Sequence, residues 1–558
     1  MKEMSFVFNA KTLSGGLWPE RTTPKSASTL TGLRNLRCKP FGLEAATRLS
    51  EASFARAAQW PLPQWHEGKV FYADHARTED GEMLDFYDAY DSGEQVAITP
   101  GGLWHHADFG EAWMSTNGSS WLFYRPGDGK ILSQSATSIS SVCAFQGRAL
   151  MGGFSDYWDS GFGRDLTPDS DFSSGAYWSA GAGWGISNNL ASATDPTAPL
   201  KMRLSGLKAG GGEFVEVFAG AGATVVSRVV VEEYQDRKGF WASLLSGAGR
   251  KTTPEDTLGA GAIWWSAAGG GNVLSLFNQA LALEDSARPL LMDFLQRGDT
   301  GFINLPLGRV LRLLPLGGRV IAYCSGGVAA LTPMSDPIPG FGSRILARHG
   351  IHDRGSAAGD DSGHVFLGAE GVLYRISPDL NVERLGHGSR MAALLDGDVS
   401  VQHDVLEKQF YISGEDAGFT LTESGLSEAT QRPSSLFVRN GETTALGALE
   451  DPSAVWLQSG PFDMGNRAIK IVRSIHVEHT GLGSLRARLH ALYAGVWSTK
   501  GWILLNTWDT ATVQTSGTDF KLEIDGSASA DATLTEVSVS WGTTDGRDIR
   551  GLYTPEQQ

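Results

Sequence analysis

Along most of this chain, apolar and polar positions alternate in short runs, and glycine-bearing turns separate the runs. The stretch "GHVFLGAEGVLYRIS" (363–377) sets the pattern. Val365 and Leu367 alternate before Gly371, and Val372, Tyr374 and Ile376 alternate after it. That spacing predicts a β-hairpin with a single apolar face. A lone hairpin is not stable in water, so the face must be covered by other strands. Similar segments flank it. "EQVAITPGGLWHHADFGEAWMSTNGSSWLFYRP" (94–126) predicts strands around Trp104, Trp113 and Trp121, with a tight turn at Asn117-Gly118. "SVCAFQGRALMGGFS" (141–155), "GRVLRLLPLGGRVIAYCSGGVAALTP" (308–333), "VSVQHDVLEKQFYISGEDAGFTLTESGLSEA" (399–429) and "PSSLFVRNGETTALGA" (433–448) read the same way. Their sequences differ, but the pattern repeats in units of about 40 residues, the period of propeller blades. About six units are countable, and in a ring of blades each hairpin packs on the next.

Other segments break the pattern. Between "RALMGGFS" (148–155) and "GAIWWSAAGGGNVLSLF" (261–277), which read as two strands of one blade, residues 165–255 form a further run of antiparallel strands. This predicts a β-sandwich inserted at a blade edge, where insertions are tolerated. "NVLSLFNQALALEDSARPLLMDFLQRGD" (272–299) is the best helical segment: Ser286 can cap it, Leu291, Phe294 and Leu295 share a face, and Gly298 ends it. Residues 1–60, rich in Gly, Pro, Ser and Thr, read as an extended arm with a short helix within 43–55. Strict alternation returns in "AIKIVRSIHVEHTG", "SLRARLHALYAG" and "LTEVSVSWGTT". The expected organisation is therefore all-β: an arm (1–60), a first propeller part (61–164), the insert (165–255), a second propeller part (256–455) and a C-terminal antiparallel β domain (456–558), with one or two short helices.

Composition narrows the function. The 558 residues carry 46 Lys and Arg against 62 Asp and Glu, a net charge of −16, with no basic block. Tight binding to nucleic-acid phosphates is not expected, although an acidic wall can border a path along which DNA slides. Cys38, Cys143 and Cys324 are far apart and lack CxxC spacing, which favours reduced, buried thiols and a reducing cytosol. The apolar run near the start is too short for a signal peptide, and no stretch approaches the roughly 20 apolar residues of a membrane span.

Several strings together resemble the propeller-bearing tail nozzle and hub proteins of tailed bacteriophages: "WMSTNGSSWLFY" (113–124), "WWSAAGGGNVL" (264–274), "DTGFINLPLGRVLRLLPLGGRVIAYCSGGVAAL" (299–331), "GSAAGDDSGHVFLGAEGVLYRISPDL" (355–380) and "GPFDMGNRAIKIVRSIHVE" (460–478). The ordered set covers most of 95–545, while the arm matches only in "GLRNLRCKPFGLE" (32–44). The resemblance implies a structural, non-enzymatic virion protein without cofactors. It implies a homo-oligomeric ring, commonly a hexamer, below the portal and adaptor ring. Such a ring lines the channel for DNA ejection, lets the viral DNA pass transiently without specific binding, anchors tail fibres or spikes, and is assembled in the host bacterial cytoplasm before joining the virion tail. It also implies that "FDMGNR" marks the passage into the C-terminal domain, with Phe462 in the motif, Gly465 allowing a tight bend, and Asp463 and Arg467 placed to pair across it. The insert resembles jelly-roll modules of virion proteins, relatives of carbohydrate-binding modules. Tyr177, Trp178 and Trp184 are then a candidate glycan platform, although two tryptophans six apart on alternating strands more often pack a sandwich core.

A propeller glycan hydrolase needs two convergent carboxylates. Asp360, Asp361, Asp293, Glu284 and Asp285 are acidic, but no motif brings two together, and turn positions in solvent are the simpler reading. "STNGSSW" (115–121) is one residue short of an Asp-box and holds Asn in place of Asp. His476 and His479 sit three apart on a strand, on opposite faces, unlike a helical HExxH pair. His105 and His106 point apart, and His349 and His352 lie in a loop with Asp353. No GxSxG elbow appears, and the glycine strings lack the Lys-Ser/Thr of a phosphate loop. Host-glycan adhesion through the insert is the other alternative to a structural role.

Overall fold

The computed structural model describes residues 4–19, 29–51, 139–154, 260–265, 301–334, 340–439, 441–465 and 468–543. It also describes shorter stretches, chiefly strands, within 64–134 and 184–226. The hairpin at 363–377 forms as its alternation predicts: Gly363–Leu367 pairs antiparallel with Leu373–Ile376, His364 opposite Ile376 and Leu367 opposite Leu373. Its expected single apolar face is corrected to two. His364, Val365, Phe366 and Leu367 are all buried. Phe366, Tyr374 and Ile376 pack with Tyr323 and Ile321 of the preceding sheet. Val365, Leu367 and Leu373 join a cluster with Val401 and Ile412 of the next. Burying each such large side chain contributes about 1.5–3 kcal/mol.

A ring requires burial on both faces, and the strand order shows a ring. Four-stranded antiparallel sheets follow one another over 64–97, 105–134, 141–152 with 262–304, 310–347 and 357–386, and a further four-strand run covers 400–428. These are blades 1 to 6. A seventh, three-stranded blade joins Gln431–Arg439 and Glu442–Leu449 to Ser50–Glu51. The first strands of successive blades lie against one another: His105–Asp108 on Ser141–Phe145, then Val310–Leu316, Ala357–Asp360, Ser400–Asp404 and Gln431–Arg439. Gln431–Arg439 reaches Gln64–His66 of blade 1, and the last strands of blades 1 and 2 touch, so the circuit closes as a β-propeller.

In blade 3, Arg148–Gly152 pairs with Ala262–Trp265, Leu150 opposite Trp265. The chain therefore leaves this blade and returns to it. Within the excursion, Trp184–Ser187 pairs with Leu190–Ala193, which pairs with Val225–Val226, and Lys201–Ser205 pairs with Phe214–Phe218, all antiparallel. The helix expected within 272–299 lies outside the described residues.

The C-terminal part is built on two long antiparallel strands, Lys470–Tyr493 and Asp519–Thr543. The outer edge of Asp519–Thr543 is paired in turn with Met4–Phe8, Gly42–Ala45 and Ala454–Ser459. Residues 1–60, expected as an extended arm, thus supply strands to this sheet. The short helix expected within 43–55 is corrected: Gly42–Ala45 is a strand and residues 46–49 are not helical, while 52–55 lie outside the described residues. Leu43 and Ala45 are buried with Glu44 between them, and Leu43 sits opposite Leu534, so sheet pairing overrides helix propensity. The helix that does form is Ala10–Ser14, capped by Asn9, whose Oδ1 accepts from the Thr12 amide at 3.1 Å.

Leu30–Arg34 ties the two bodies together. It runs antiparallel to Ala454–Ser459, Leu33 opposite Leu457, and parallel to Leu426–Glu428 of blade 6, Arg34 opposite Glu428. The blade 6 sheet therefore continues into the C-terminal sheet as one 14-stranded assembly. Leu33, Leu36 and Cys38 join Phe419, Leu426, Phe520 and Val539 in one buried cluster. Gly32 permits the close approach, because a Cβ there would lie 2.4 Å from the ring of Trp456. Gly32→Ala should cost about 1–3 kcal/mol by overpacking. Gly501→Ala, with open space around it, should change stability by less than about 0.5 kcal/mol. Denaturant titration of the two variants measures the difference.

Candidate functional site

The residues singled out in the sequence do not converge on one site. At the domain junction, Phe462 lies in an aromatic cluster, stacked on Phe6 at 4.9 Å between ring centres and edge-on to Phe8 at 5.3 Å. Its amide and carbonyl exchange hydrogen bonds with those of Phe520, both 2.9 Å. Asp463 Oδ1 accepts from the Gly465 amide at 3.0 Å, and Gly465 has φ +81°, so the chain turns tightly there. Arg467 lies outside the described residues. Burial works against the charged form of Lys470, and the Asp463 and Asp519 carboxylates favour it. Tyr177 and Trp178 also lie outside the described residues, and Trp184 begins the strand Trp184–Ser187.

The acidic candidates that are described hold turns. Asp360 Oδ1 accepts from the Ser362 amide at 2.8 Å, and Asp361 Oδ1 from the Gly317 amide at 3.0 Å. Asp293, Glu284 and Asp285 lie outside the described residues. The Asn117-Gly118 turn joins Trp113–Thr116 to Trp121–Arg125, with Asn117 Oδ1 accepting from the Ser119 amide. His349 stacks on Tyr374, and His352 Nε2 lies 3.2 Å from the Gly397 carbonyl. His476 is exposed and His479 largely buried, as expected for opposite faces of the strand. Both nevertheless reach the same edge turn: His476 Nδ1 lies 3.2 Å from the Trp508 carbonyl and His479 Nε2 3.2 Å from Asp509 Oδ1. Among the described residues no group of three or more His, Cys, Asp or Glu is placed to hold a metal. Cys38, Cys143 and Cys324 are free and buried, and burial pushes each thiol up to about 12, which makes them unreactive.

The chemically loaded cluster is cationic and lies among the first strands of blades 2 to 5. Arg354, from the loop entering blade 5, reaches back across the ring. Its Nε donates to the Ser140 carbonyl at 2.7 Å before blade 3, and its Nη2 to the Thr116 carbonyl at 3.1 Å in blade 2. Nη2 also lies 3.5 Å from His105 Nδ1. Arg309 Nε donates to Ser140 Oγ at 3.0 Å. Arg312 stands on the first strand of blade 4, enclosed by protein yet retaining part of its surface. Burial and the charges of Arg312 and Arg309 press against the charged form of Arg354, and Asp353 favours it. A guanidinium nevertheless remains charged at neutral pH. Burial and the Arg312 charge hold His105 well below its ordinary value and His106 at about 3, so both rings are neutral. Sequence reading passed over this cluster because its members come from four blades. The one local signal was an arginine inside the apolar run "VLRLL".

A second buried histidine seals blades 4 and 5. His364 Nε2 lies 2.8 Å from the Pro315 carbonyl, which can only accept, so Nε2 carries the proton. Nδ1 then accepts from the Tyr323 hydroxyl at 2.9 Å.

No protein-family model and no curated protein matches this chain. Among solved structures it is similar to apo AztD from Citrobacter koseri: 11% identity, 82% of this chain and 98% of that chain covered, TM-score 0.27. It is also similar to Chaetomium thermophilum Sqt1 bound to the N-terminus of ribosomal protein L10: 11% identity, 72% and 92% covered, TM-score 0.28. These superpositions are too loose to bear on function, and the propeller assignment rests on the strand pairing described above.

The His364 contacts set a pH dependence. Burial holds its pKa at about 4, below the ordinary 6.5, so the folded state favours the neutral ring. Its stabilising contribution is complete above pH 6.5 and is lost as the pH falls towards 4, a change of up to about 3 kcal/mol. Thermal unfolding between pH 7 and 4 should show a shallower loss for His364→Gln than for the wild type.

Proposed function

We propose that this chain is a structural subunit of a tailed-phage tail nozzle or hub, built to form a ring around the path of DNA. The observation that carries this reading is apolar side chains left open on both edges of the C-terminal sheet. On one edge, Lys470–Tyr493 pairs with Val496–Thr499, Ile503–Leu504 and Thr510–Gly517. There Val496 is 69% exposed, Leu504 70% and Trp508 79%. Arg486 and Arg488 cover the ring of Trp502, and Lys521 covers that of Trp497. On the opposite edge, the hairpin formed by Leu36–Lys39 and Gly42–Ala45 ends in Phe41, 85% exposed.

Exposed apolar residues at two different edges suit a heterologous contact, in which one edge of a copy meets the other edge of the next and the series closes. Each contact must bury at least about 1,000 Å² to hold. The weld through Leu30–Arg34 passes load from the propeller to that sheet. The net charge of −16 would keep DNA from adhering as it passes. Portal, adaptor and fibre or spike proteins are the expected neighbours of such a ring.

Electron microscopy and analytical ultracentrifugation test the reading. The wild type should form closed rings in a concentration-dependent manner. Trp508→Asp and Leu504→Asp, at positions already exposed, should remain folded and weaken assembly by at least about tenfold. A wild type that stays monomeric, or variants that assemble unchanged, would overturn it.

A further inference from the structure

We infer that, in the ring proposed above, Trp508 of one copy seats against Phe41, Val405 and Leu406 of the next. The inference rests on that reading and names the contact that joins its copies. Among the described residues, Phe41 and Trp508 are the two most exposed large apolar side chains. They stand on opposite flanks of the C-terminal sheet, at one level along its strands. Leu43 of the Phe41 hairpin lies opposite Leu534, and Leu534 lies opposite His479. His479 Nε2 is 3.2 Å from Asp509 Oδ1, beside Trp508 in the chain. Two different patches at one level let successive copies join without a step, and a step would give an open helix in place of a ring.

Each flank holds its patch firmly. Trp508 sits in a turn closed by Asn506, whose Oδ1 accepts from the Trp508 amide at 2.9 Å and the Thr510 amide at 3.2 Å. The Asn506 amide donates to the Thr510 carbonyl at 3.0 Å, and Thr510 Oγ1 donates to the Trp508 carbonyl at 3.0 Å. A tryptophan fixed before binding loses little freedom on docking, which is the character of an interface anchor. On the other flank, Arg37 and Lys39 of the Phe41 hairpin both pair with Glu407. Glu407 directly follows Val405 and Leu406 in the turn after the first strand of blade 6, and both of these are about half exposed. The ion pairs thus hold that turn beside the hairpin, so Phe41, Val405 and Leu406 stand around Lys39. The chemistry of this patch matches what Trp508 lacks. Trp456, Trp497 and Trp502, the other partly exposed tryptophans of this sheet, each have an arginine or lysine over the ring. Among the described residues none covers Trp508. An apolar seat with Lys39 at its centre supplies both the contact area and the cation.

Analytical ultracentrifugation of full-length variants, alone and mixed, tests the pairing. Phe41→Asp keeps its Trp508 and Trp508→Asp keeps its seat, and both positions are exposed, so both chains should fold. Each alone should self-associate at least about tenfold more weakly than the wild type. Mixed in equal amounts, they should form a one-to-one heterodimer that grows no further, because one contact of each pair is sound and the other is spoiled. Three results would overturn the pairing while wild-type rings leave the ring reading standing: a Phe41→Asp chain that assembles as the wild type does, one that dimerises alone through Trp508, or a mixture that forms no heterodimer. A wild type that stays monomeric would overturn both. If circular dichroism shows that Phe41→Asp fails to fold, Phe41→Ser takes its place in the same comparison.

Discussion

The short strand Leu30–Arg34 is the constraint on which the rest of the molecule depends. An exposed strand edge presents unpaired backbone groups and invites non-native pairing. Blade 6 ends on one such edge at Leu426–Glu428, and Ala454–Ser459 presents another. Leu30–Arg34 fills the gap between them, parallel to the first and antiparallel to the second. The contact is chemically supported on several sides. Asn35 Nδ2 donates to the Ala454 carbonyl at 2.7 Å, and its Oδ1 accepts from the Thr430 amide at 3.0 Å. Arg390 donates to the Thr31 carbonyl at 2.7 Å and pairs with Glu428 at 3.5 Å. A bridge from Gly16 to Leu426 and the strand Met4–Phe8 extend the same weld. The propeller and the C-terminal sheet therefore share a core, and a force on one is felt by the other.

The ring supplies a second constraint of a different kind. Where the described blades pack on one another, polar side chains that enter the seams lose water and need partners there. His364 is satisfied by Tyr323 and Pro315. In the C-terminal sheet, Glu523 meets Arg488 at 2.5 Å, His490 at 3.1 Å and Gln458 at 2.6 Å. The arginines of blades 4 and 5 depart from this rule. Arg354 finds carbonyl acceptors on two other blades, while Arg312 Nε finds none.

Much of the architecture was legible because sheets write a period of two into the sequence. The hairpins at 308–333, 363–377 and 433–448 form as their alternation and glycine turns predict. The pairing of 148–152 with 262–265 was readable across more than a hundred residues, because both strings read as short apolar strands. What alternation cannot report is which edges meet. Residues 30–45 look irregular because their strands are short and, apart from the local hairpin of 36–39 with 42–45, their partners lie some four hundred residues or more away. The helix expected near 43–55 failed for the same reason: Leu43 answers to Leu534 rather than to its own neighbours. The two-faced burial of 364–367 was hidden by a local reading that assumed solvent on one side. The cationic cluster was invisible for a topological reason, since Arg312, Arg354 and His105 come together only when the ring closes.

Hydrogen exchange by mass spectrometry tests the central claim most directly, because it reads the weld without altering it. If Leu30–Arg34 is an interior strand of one continuous sheet, its amides should exchange with those of 454–459 and 523–527, in the slowest class and together with the strands of blade 6. Amides at 30–34 that exchange as fast as exposed turns, while 523–527 stay protected, would contradict it: the segment would then be an appendage laid on two bodies that stand without it.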